Sequence, residues 1–193
     1  MEMTGERRLA ADRPTAWSAL NDINVLQSSI PGCESIVAAG ENAYDLVMNA
    51  AIGPVKARFK GRMTLGDVEA PKQYTIKFEG QGGQAGFARG SARVALDEQG
   101  SRETLLRYSV NAQVGGRLAQ VGSRLIDAAA AAMADQFFGN FSSQLQAAAS
   151  QAEAVSARVS AETVPAAAPP PAKLGVWALL VATLRRLFKQ SGA

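Results

Sequence analysis

The side chains that most often perform catalysis are sparse in this sequence of 193 residues. Histidine is absent, and the single cysteine, Cys33, lies in the stretch SIPGCESI. These counts exclude histidine-based triads, histidine metal ligands, structural zinc sites and an intrachain disulfide. A cysteine nucleophile normally needs an activating base nearby, so Cys33 is interpreted as a small buried residue. No metal site is predicted.

Acidic residues also fail to indicate an enzyme. No pair of carboxylates stands out as a general acid and base, and Asp127 and Asp135 are interpreted as the polar side of a helix. A cyclase or hydrolase that acts on an apolar or aromatic substrate remains the alternative to a binding protein.

A glycine-rich stretch, EGQGGQAGFARG, invites comparison with nucleotide-binding loops. Its spacing is not GxGxxG, and a strand pattern follows it where a dinucleotide site needs a helix N-terminus. The stretch is therefore predicted to form a hairpin tip or the rim of a pocket.

Charge is distributed unevenly along the chain. Residues 1–172 contain 16 basic and 17 acidic residues, whereas residues 173–193 contain four basic residues and none that is acidic. The basic excess therefore belongs to the C-terminal segment, and this distribution disfavours nucleic acid as a partner. The charged start, MEMTGERRLAADRP, has no apolar stretch typical of a secretion signal, which leads us to expect the cytoplasm.

Periodicity predicts the elements that must position any site. A first strand is followed by two short helices, with Asp12 as the first N-cap, Pro14 in the first turn, and Asn21 or Asp22 as the second cap. Apolar and polar residues then alternate from Cys33 to Val114, most clearly in VKARFKGRMTL, which predicts a meander of antiparallel strands. A 3.6-residue period over about residues 117–149 predicts one long helix, with Leu125 among its buried positions.

This order predicts an α+β fold of the helix-grip type: a curved antiparallel sheet of six to seven strands wrapped on a long C-terminal helix. Residues 1–150 are predicted to form this ligand-binding domain. Residues 151–172, rich in Ala and Pro, are predicted to be a flexible linker, and residues 173–193 an amphipathic helix.

Small residues at inward positions, such as Gly61, Ala88, Gly90, Ala92 and Ala112, predict unfilled apolar space between sheet and helix. The competing interpretation is that small residues only let the helix approach the sheet closely. No charged residue falls clearly inward, so an apolar or aromatic ligand is expected. The predicted lining residues are Trp17, Leu26, Ile30, Phe59, Met63, Phe78, Tyr108, Val121, Leu125, Met133 and Phe137.

The C-terminal segment is too short to span a bilayer, because its uncharged stretch, Leu174–Leu184, has 11 residues where about 20 are needed. On a helical wheel its bulky apolar residues share one arc and its basic residues the other, which is typical of a helix lying in the membrane interface. A groove on a partner protein would use the same face. The predicted membrane-binding residues are Trp177, Leu180, Val181, Leu184, Arg185, Arg186, Leu187, Phe188 and Lys189.

Several blocks of this sequence, taken in order, resemble the CoxG family of carbon monoxide dehydrogenase subunits, a part of the START-like, Bet v 1-like (SRPBCC) group. These blocks are SIPGCESI, IGPVKARFKGRMTL, EGQGGQAGFARGSARVAL, LLRYSVNAQVGGRLAQVGSRLID and MADQFFGNF, and the resemblance covers about residues 1–148. It implies a non-catalytic accessory protein that accompanies a molybdenum hydroxylase of the CO dehydrogenase type. It also implies recruitment of that enzyme to the cytoplasmic face of the cell membrane, and carriage of a quinone, either menaquinone or ubiquinone.

Overall fold

The computed structural model describes residues 1–161 of the chain. The chain divides into a compact unit, Met1–Ala154, and a second unit, Val155–Ala193, most of which lies outside the described residues. The elements, in order, are β1 (Glu2–Leu9), α1 (Arg13–Leu20), α2 (Ile23–Ser29), β2 (Cys33–Gly40), β3 (Ala43–Ile52), β4 (Val55–Glu69), β5 (Gln73–Gln81), β6 (Phe87–Gly100), β7 (Glu103–Gly115) and α3 (Ser123–Ala161).

The seven strands form one antiparallel sheet in the order β1-β7-β6-β5-β4-β3-β2. Strands β2 to β7 are a continuous meander, and β1 joins it by pairing with β7, where Gly5 lies opposite Tyr108. The sheet is curved and is accompanied by the long helix α3, so the predicted α+β helix-grip fold is confirmed. The glycine-rich stretch forms a short 3₁₀ turn, Gly83–Ala85, at the tip of the β5–β6 hairpin, as predicted.

Strand β4 shows why the chain forms a two-faced sheet. Its odd-numbered residues from Val55 to Leu65 are buried or half-buried, and its even-numbered residues from Lys56 to Thr64 are exposed. On the exposed face, the Arg58 guanidinium pairs with Glu34 at 2.6 Å and that of Arg62 with Asp45 at 2.8 Å. Such exposed pairs contribute little to stability, so the apolar inner face is the main stabilising feature of this strand.

The two short helices begin at the predicted caps. The Asp12 carboxylate accepts a hydrogen bond from the Thr15 backbone N–H at 2.8 Å, and that of Asp22 accepts one from Asn24 at 2.7 Å. These bonds satisfy amide groups that the first turn of a helix leaves without a partner. Helices α1 and α2 are thereby fixed next to the sheet, where Leu20 and Trp17 belong to the main apolar cluster.

The long helix begins later than the sequence predicts. Residues Gly116–Val121 form a 3₁₀ segment, and Gly122 has a φ of +92° before α3 starts at Ser123. A continuous helix from residue 117 is therefore wrong, because the left-handed backbone at Gly122 separates the two segments and resets the helical phase. In consequence Ile126 is 6% exposed and Leu125, predicted to be inside, is 49% exposed.

The far end of α3 also differs from the prediction. The helix continues to Ala161, so residues 151–161 of the predicted linker are helical. The segment QAEAVSARVSA loses the amphipathic period but contains no Gly or Pro, and its alanines favour helix. The rest of the predicted linker and the predicted amphipathic helix lie outside the described residues.

Two apolar clusters stabilise the inner face of the sheet. The larger one joins α1, the sheet and α3 through Leu9, Leu106, Phe138 and Phe141, among others. The smaller one joins Phe59, Ala85 and Leu118, and the half-buried Met48 and Val55 pack against it.

The phase of α3 leads to a stability prediction with a built-in control. Ile126→Ala should lower the free energy of unfolding by about 2–5 kcal/mol, because it opens a cavity at a buried position. Leu125→Ala should cost about 1 kcal/mol or less, because half of that side chain already contacts water. Urea denaturation of both variants measures the difference, and equal losses would show that the helix faces the sheet with a different side.

Candidate ligand-binding cavity

A cavity of about 150 Å³ lies between α2, the inner face of the sheet and the middle of α3. Its lining is apolar except for one amide and three phenol groups. The lining residues are Leu20, Asn21, Leu26, Ile30, Tyr44, Met63, Leu65, Tyr74, Ile76, Val94, Leu106, Tyr108, Phe137 and Phe138. A cavity of this size and character is enough for one aromatic ring, as an engineered apolar cavity of about 150 Å³ binds benzene.

Aromatic contacts fix the shape of this cavity. The Tyr108 and Phe138 rings lie 5.3 Å apart, and the Phe138 ring lies 5.1 Å from that of Phe137, edge to face. Phe137 in turn stacks on the fully buried Phe141 at 5.8 Å. Rings in such arrangements have few alternative rotamers, so the wall between α3 and β7 is stiff.

Five of the eleven predicted lining residues contribute to this cavity: Leu26 from α2, Ile30 directly after α2, Met63 from β4, Tyr108 from β7 and Phe137 from α3. Their role in ligand binding stays a prediction. Trp17 lies one layer behind, with its ring edge-on to Tyr74 at 5.3 Å.

The other five predicted residues lie elsewhere. Phe59 belongs to the smaller apolar cluster, and Phe78 covers Gly90, whose added Cβ would approach the Phe78 ring to 3.0 Å. Val121 lies in the 3₁₀ segment, Leu125 is half exposed, and Met133 is half-buried on α3.

The small inward residues are not in the lining of this cavity. A Cβ on Gly90 would lie 2.1 Å from the Asn111 carbonyl oxygen, and one on Gly61 would lie 2.6 Å from the Glu79 carbonyl oxygen. These glycines let neighbouring strands approach each other closely. The sequence is interpreted as predicting either unfilled apolar space or a close approach of the helix, and these contacts between strands are neither of the two. The unfilled space lies beside them, among larger residues.

One charged residue does point inward, contrary to expectation. Arg7 lies on the inner side of the edge strand β1, with its guanidinium carbon 5.5 Å from the centre of the Phe138 ring. It also pairs with Asp135 of α3. Arg7 is thus an electrostatic link between the edge of the sheet and the helix behind the cavity wall.

Sequence reasoning missed Tyr44 and Tyr74 as lining residues. Both stand at inward positions of strands, and the chain contains only three tyrosines. Like Tyr108, both occupy inward positions in a strand whose apolar and polar residues alternate. This pattern could have identified them as lining residues.

Two titratable groups have a raised pKa: the Tyr74 phenol in the cavity lining, and the half-buried Cys33 thiol of β2, which lies outside that lining. Burial, with a smaller contribution from Tyr44, raises the pKa of the Tyr74 phenol well above its usual range. Burial likewise raises the pKa of the Cys33 thiol, which disfavours the reactive thiolate. The cavity lining has no carboxylate, amine, guanidinium or thiol, so its chemistry is that of shape and neutral hydrogen bonds.

Two larger depressions, of about 460 and 390 Å³, lie on the outer face of the sheet. Charged side chains such as Arg62, Lys77 and Glu79 line them, and both open broadly to solvent. They offer no enclosed surface to a small ligand, so the smaller inner cavity is the better candidate site. Within residues 1–161 no cluster of three or more potential metal ligands occurs.

This sheet, helix and enclosed apolar cavity together define the class of START/Bet v 1-like helix-grip proteins. Within that class, the chain belongs to the CoxG family of carbon monoxide dehydrogenase subunits, whose model matches residues 5–146. Among curated proteins, no sequence matches the chain significantly.

Solved structures support the same fold. A conserved protein from Geobacillus kaustophilus is 27% identical over 76% of this chain and 95% of its own, with a TM-score of 0.72. A START superfamily protein from Mycobacterium smegmatis is 13% identical over 75% of this chain and 97% of its own, with a TM-score of 0.61. The ZhuI aromatase/cyclase from Streptomyces sp. R1128 is 10% identical over 76% of this chain and 93% of its own, with a TM-score of 0.58.

In the part of the chain that the structure describes, no helix is both long and apolar enough to cross a membrane. The residues predicted to bind the membrane, Trp177 to Lys189, lie outside that part.

The tight strand contacts beside the cavity lead to a second stability prediction. Gly90→Ala should lower the free energy of unfolding by more than about 2 kcal/mol, because its Cβ would overlap the β7 backbone. Gly66→Ala is the matched control on β4, since nothing lies within 4 Å of its added Cβ. That control should leave stability within about 1 kcal/mol of the wild type. Thermal melts of both variants test this, and a harmless Gly90→Ala would contradict the close approach of the strands.

Proposed function

We propose that this protein is a non-catalytic accessory protein that binds the ring of a quinone-like lipid in the inner cavity. It serves a molybdenum hydroxylase of the CO dehydrogenase type and recruits that enzyme to the cytoplasmic face of the cell membrane. The observation that carries the proposal is the lining of the cavity, which combines aliphatic and aromatic walls with a few neutral polar groups.

The size of the cavity supports a particular mode of binding. Pockets for complete drug-sized ligands usually measure about 300–1,000 Å³, whereas this cavity measures about 150 Å³. The ring of a quinone, either menaquinone or ubiquinone, would occupy it, and the isoprenoid tail would extend out of it. Burial of the ring supplies the affinity, since apolar area contributes about 25 cal/mol per Å² removed from water.

Membership of the CoxG family supports the partner. The family is named for a subunit of carbon monoxide dehydrogenase, and this name favours such an enzyme as the partner. The C-terminal segment supports the membrane part of the proposal, because residues 173–193 carry four basic residues and no acidic one. Each such residue contributes about 1 kcal/mol at an anionic leaflet.

An enzyme acting on an apolar substrate in the same cavity is the second candidate. It is favoured by the likeness of the fold to an aromatase/cyclase. Against it, the lining offers no carboxylate or amine as acid or base, and the raised pKa of Tyr74 keeps that phenol neutral.

The test is extraction of the bound small molecules from purified protein, followed by mass spectrometry. The full chain and a chain of residues 1–172 should both yield a prenylquinone, whereas only the full chain should sediment with membranes. An empty protein would refute the lipid-binding role, and a full chain that stays in the soluble fraction would refute the attachment. Turnover of a polycyclic or ester substrate by the purified protein would favour the enzyme.

A pair of variants on neighbouring residues ties the lipid to the cavity. Met63→Trp should fill the cavity and reduce the extracted quinone at least about tenfold, because the ring loses its space. Thr64→Trp places the same side chain on the exposed face of β4 and should leave the yield unchanged. Circular dichroism checks that both variants fold. If Met63→Trp does not fold, Ile30→Phe fills the cavity with a smaller change in side-chain volume. Equal yields from Met63→Trp and Thr64→Trp would place the lipid elsewhere.

A further inference from the structure

All three tyrosines of the chain line the same cavity, although they come from three different strands. Tyr44 belongs to β3, Tyr74 to β5 and Tyr108 to β7. Phenylalanine would fill the same space without bringing an oxygen into an apolar lining. We therefore look to the hydroxyl groups to explain why all three tyrosines line this cavity.

The hydroxyls do not all lie on the same side of the cavity. The Tyr108 ring extends over Gly5, where an added Cβ would meet the phenol oxygen first, so this hydroxyl lies at the edge strand β1. Tyr44 and Tyr74 stand on β3 and β5, which flank β4 in the middle of the sheet. Two strand spacings, about 10 Å, separate their backbones. Tyr44 is also close enough to Tyr74 to affect its ionisation.

Neither Tyr44 nor Tyr74 makes a side-chain hydrogen bond to a described residue of the chain. Tyr74 as a whole is only 4% exposed, yet its hydroxyl oxygen keeps accessible surface, since it is not among the buried side-chain atoms without a partner in the described chain. A ligand that covered this hydroxyl without accepting a hydrogen bond from it would leave it unpaired, which is costly. Asn21, the amide of the lining, donates its Nδ2 to the Trp17 carbonyl at 2.8 Å, and neither phenol donates to its Oδ1. The middle of the cavity thus offers two phenol groups that donate to no described residue.

We propose that the hydroxyls of Tyr44 and Tyr74 donate hydrogen bonds to carbonyl oxygens on the ring that occupies the cavity. The cavity then selects a carbonyl-bearing ring over a hydrocarbon of the same shape. This inference rests on the proposed binding of a ring and adds the groups that would recognise it. A phenol has an ordinary pKa of about 10, so it keeps its proton and remains a hydrogen-bond donor at neutral pH.

A ring with carbonyls at opposite edges suits donors that come from separate strands. Its oxygens accept hydrogen bonds but cannot donate, which matches neutral phenols that donate to no described residue. Water is the competing partner, because buried hydroxyls are often satisfied by ordered water. If water alone serves them, a ligand gains nothing from the phenols, and their removal leaves its affinity unchanged.

The experiment compares two probes of nearly the same shape on the full chain. Duroquinone carries two carbonyls, and its fully substituted ring does not alkylate Cys33, whereas durene is the corresponding hydrocarbon. Dissociation constants for both are measured by NMR titration of the wild type and of Tyr44→Phe and Tyr74→Phe. Loss of one neutral hydrogen bond should weaken duroquinone binding by roughly three- to tenfold, with durene binding unchanged or tighter.

A hydroxyl on the outer face of the sheet supplies the matched control. Thr64→Val removes an exposed hydroxyl of β4 that does not line the cavity, so duroquinone binding should stay within about twofold of the wild type. Folding is controlled in the same series: Tyr74→Phe removes a hydroxyl without a partner in the described chain, so its melting temperature should not fall below that of the wild type. Tyr44→Phe, at a less buried position, keeps the comparison informative if Tyr74→Phe folds poorly.

The outcomes separate this inference from the proposed function. Binding of duroquinone within about twofold of the wild type in both Tyr44→Phe and Tyr74→Phe would overturn the role of the phenols and leave ring binding intact. Preference of the wild type for durene would overturn the selection of carbonyls. Failure of the wild type to bind either probe would overturn the proposed function as well.

Discussion

Three phenylalanines of α3 pack against the sheet, and this contact holds the long helix in place over the cavity. Phe137, Phe138 and Phe141 occupy neighbouring turns, and their contacts with Tyr108 and with one another join the helix to β7. A helix can bury only one stripe, so these rings fix both its rotation and its distance from the sheet. The cavity is the space that remains on one side of this aromatic contact.

The short helices determine the position of the cavity as much as α3 does. Capped by Asp12 and Asp22, α1 and α2 bring Leu20, Leu26 and Ile30 against the same part of the sheet. Without them the cavity would be an open groove. Its partial enclosure makes a few neutral groups matter, because hydrogen bonds are stronger away from bulk water.

Local patterns were sufficient to predict the fold. The alternation in β4, the caps at Asp12 and Asp22 and the hairpin at Gly83–Ala85 are all confirmed, since each depends on residues close together in sequence. The site was predicted less well because it depends on how distant elements meet. The left-handed Gly122 rotated α3 away from the phase inferred from Leu118, and the sequence contains no measure of that rotation. Similarly, the alternation places Tyr74 and Tyr108 on the inward face, but only the strand register shows that they are neighbours with Val94 between them.

The contact between Trp17 and Tyr74 gives the protein an internal optical reporter. The indole lies one residue behind the cavity wall, with its ring centre 5.3 Å from that of Tyr74. Quinones accept excited-state electrons from indole, so the quinone that we propose as ligand would quench emission from Trp17 if it occupied the cavity. The chain contains a second tryptophan, Trp177, and its replacement by phenylalanine would leave Trp17 as the only source of that signal. Loading and unloading of the cavity could then be followed in real time, without any label, while the protein meets a vesicle or an enzyme.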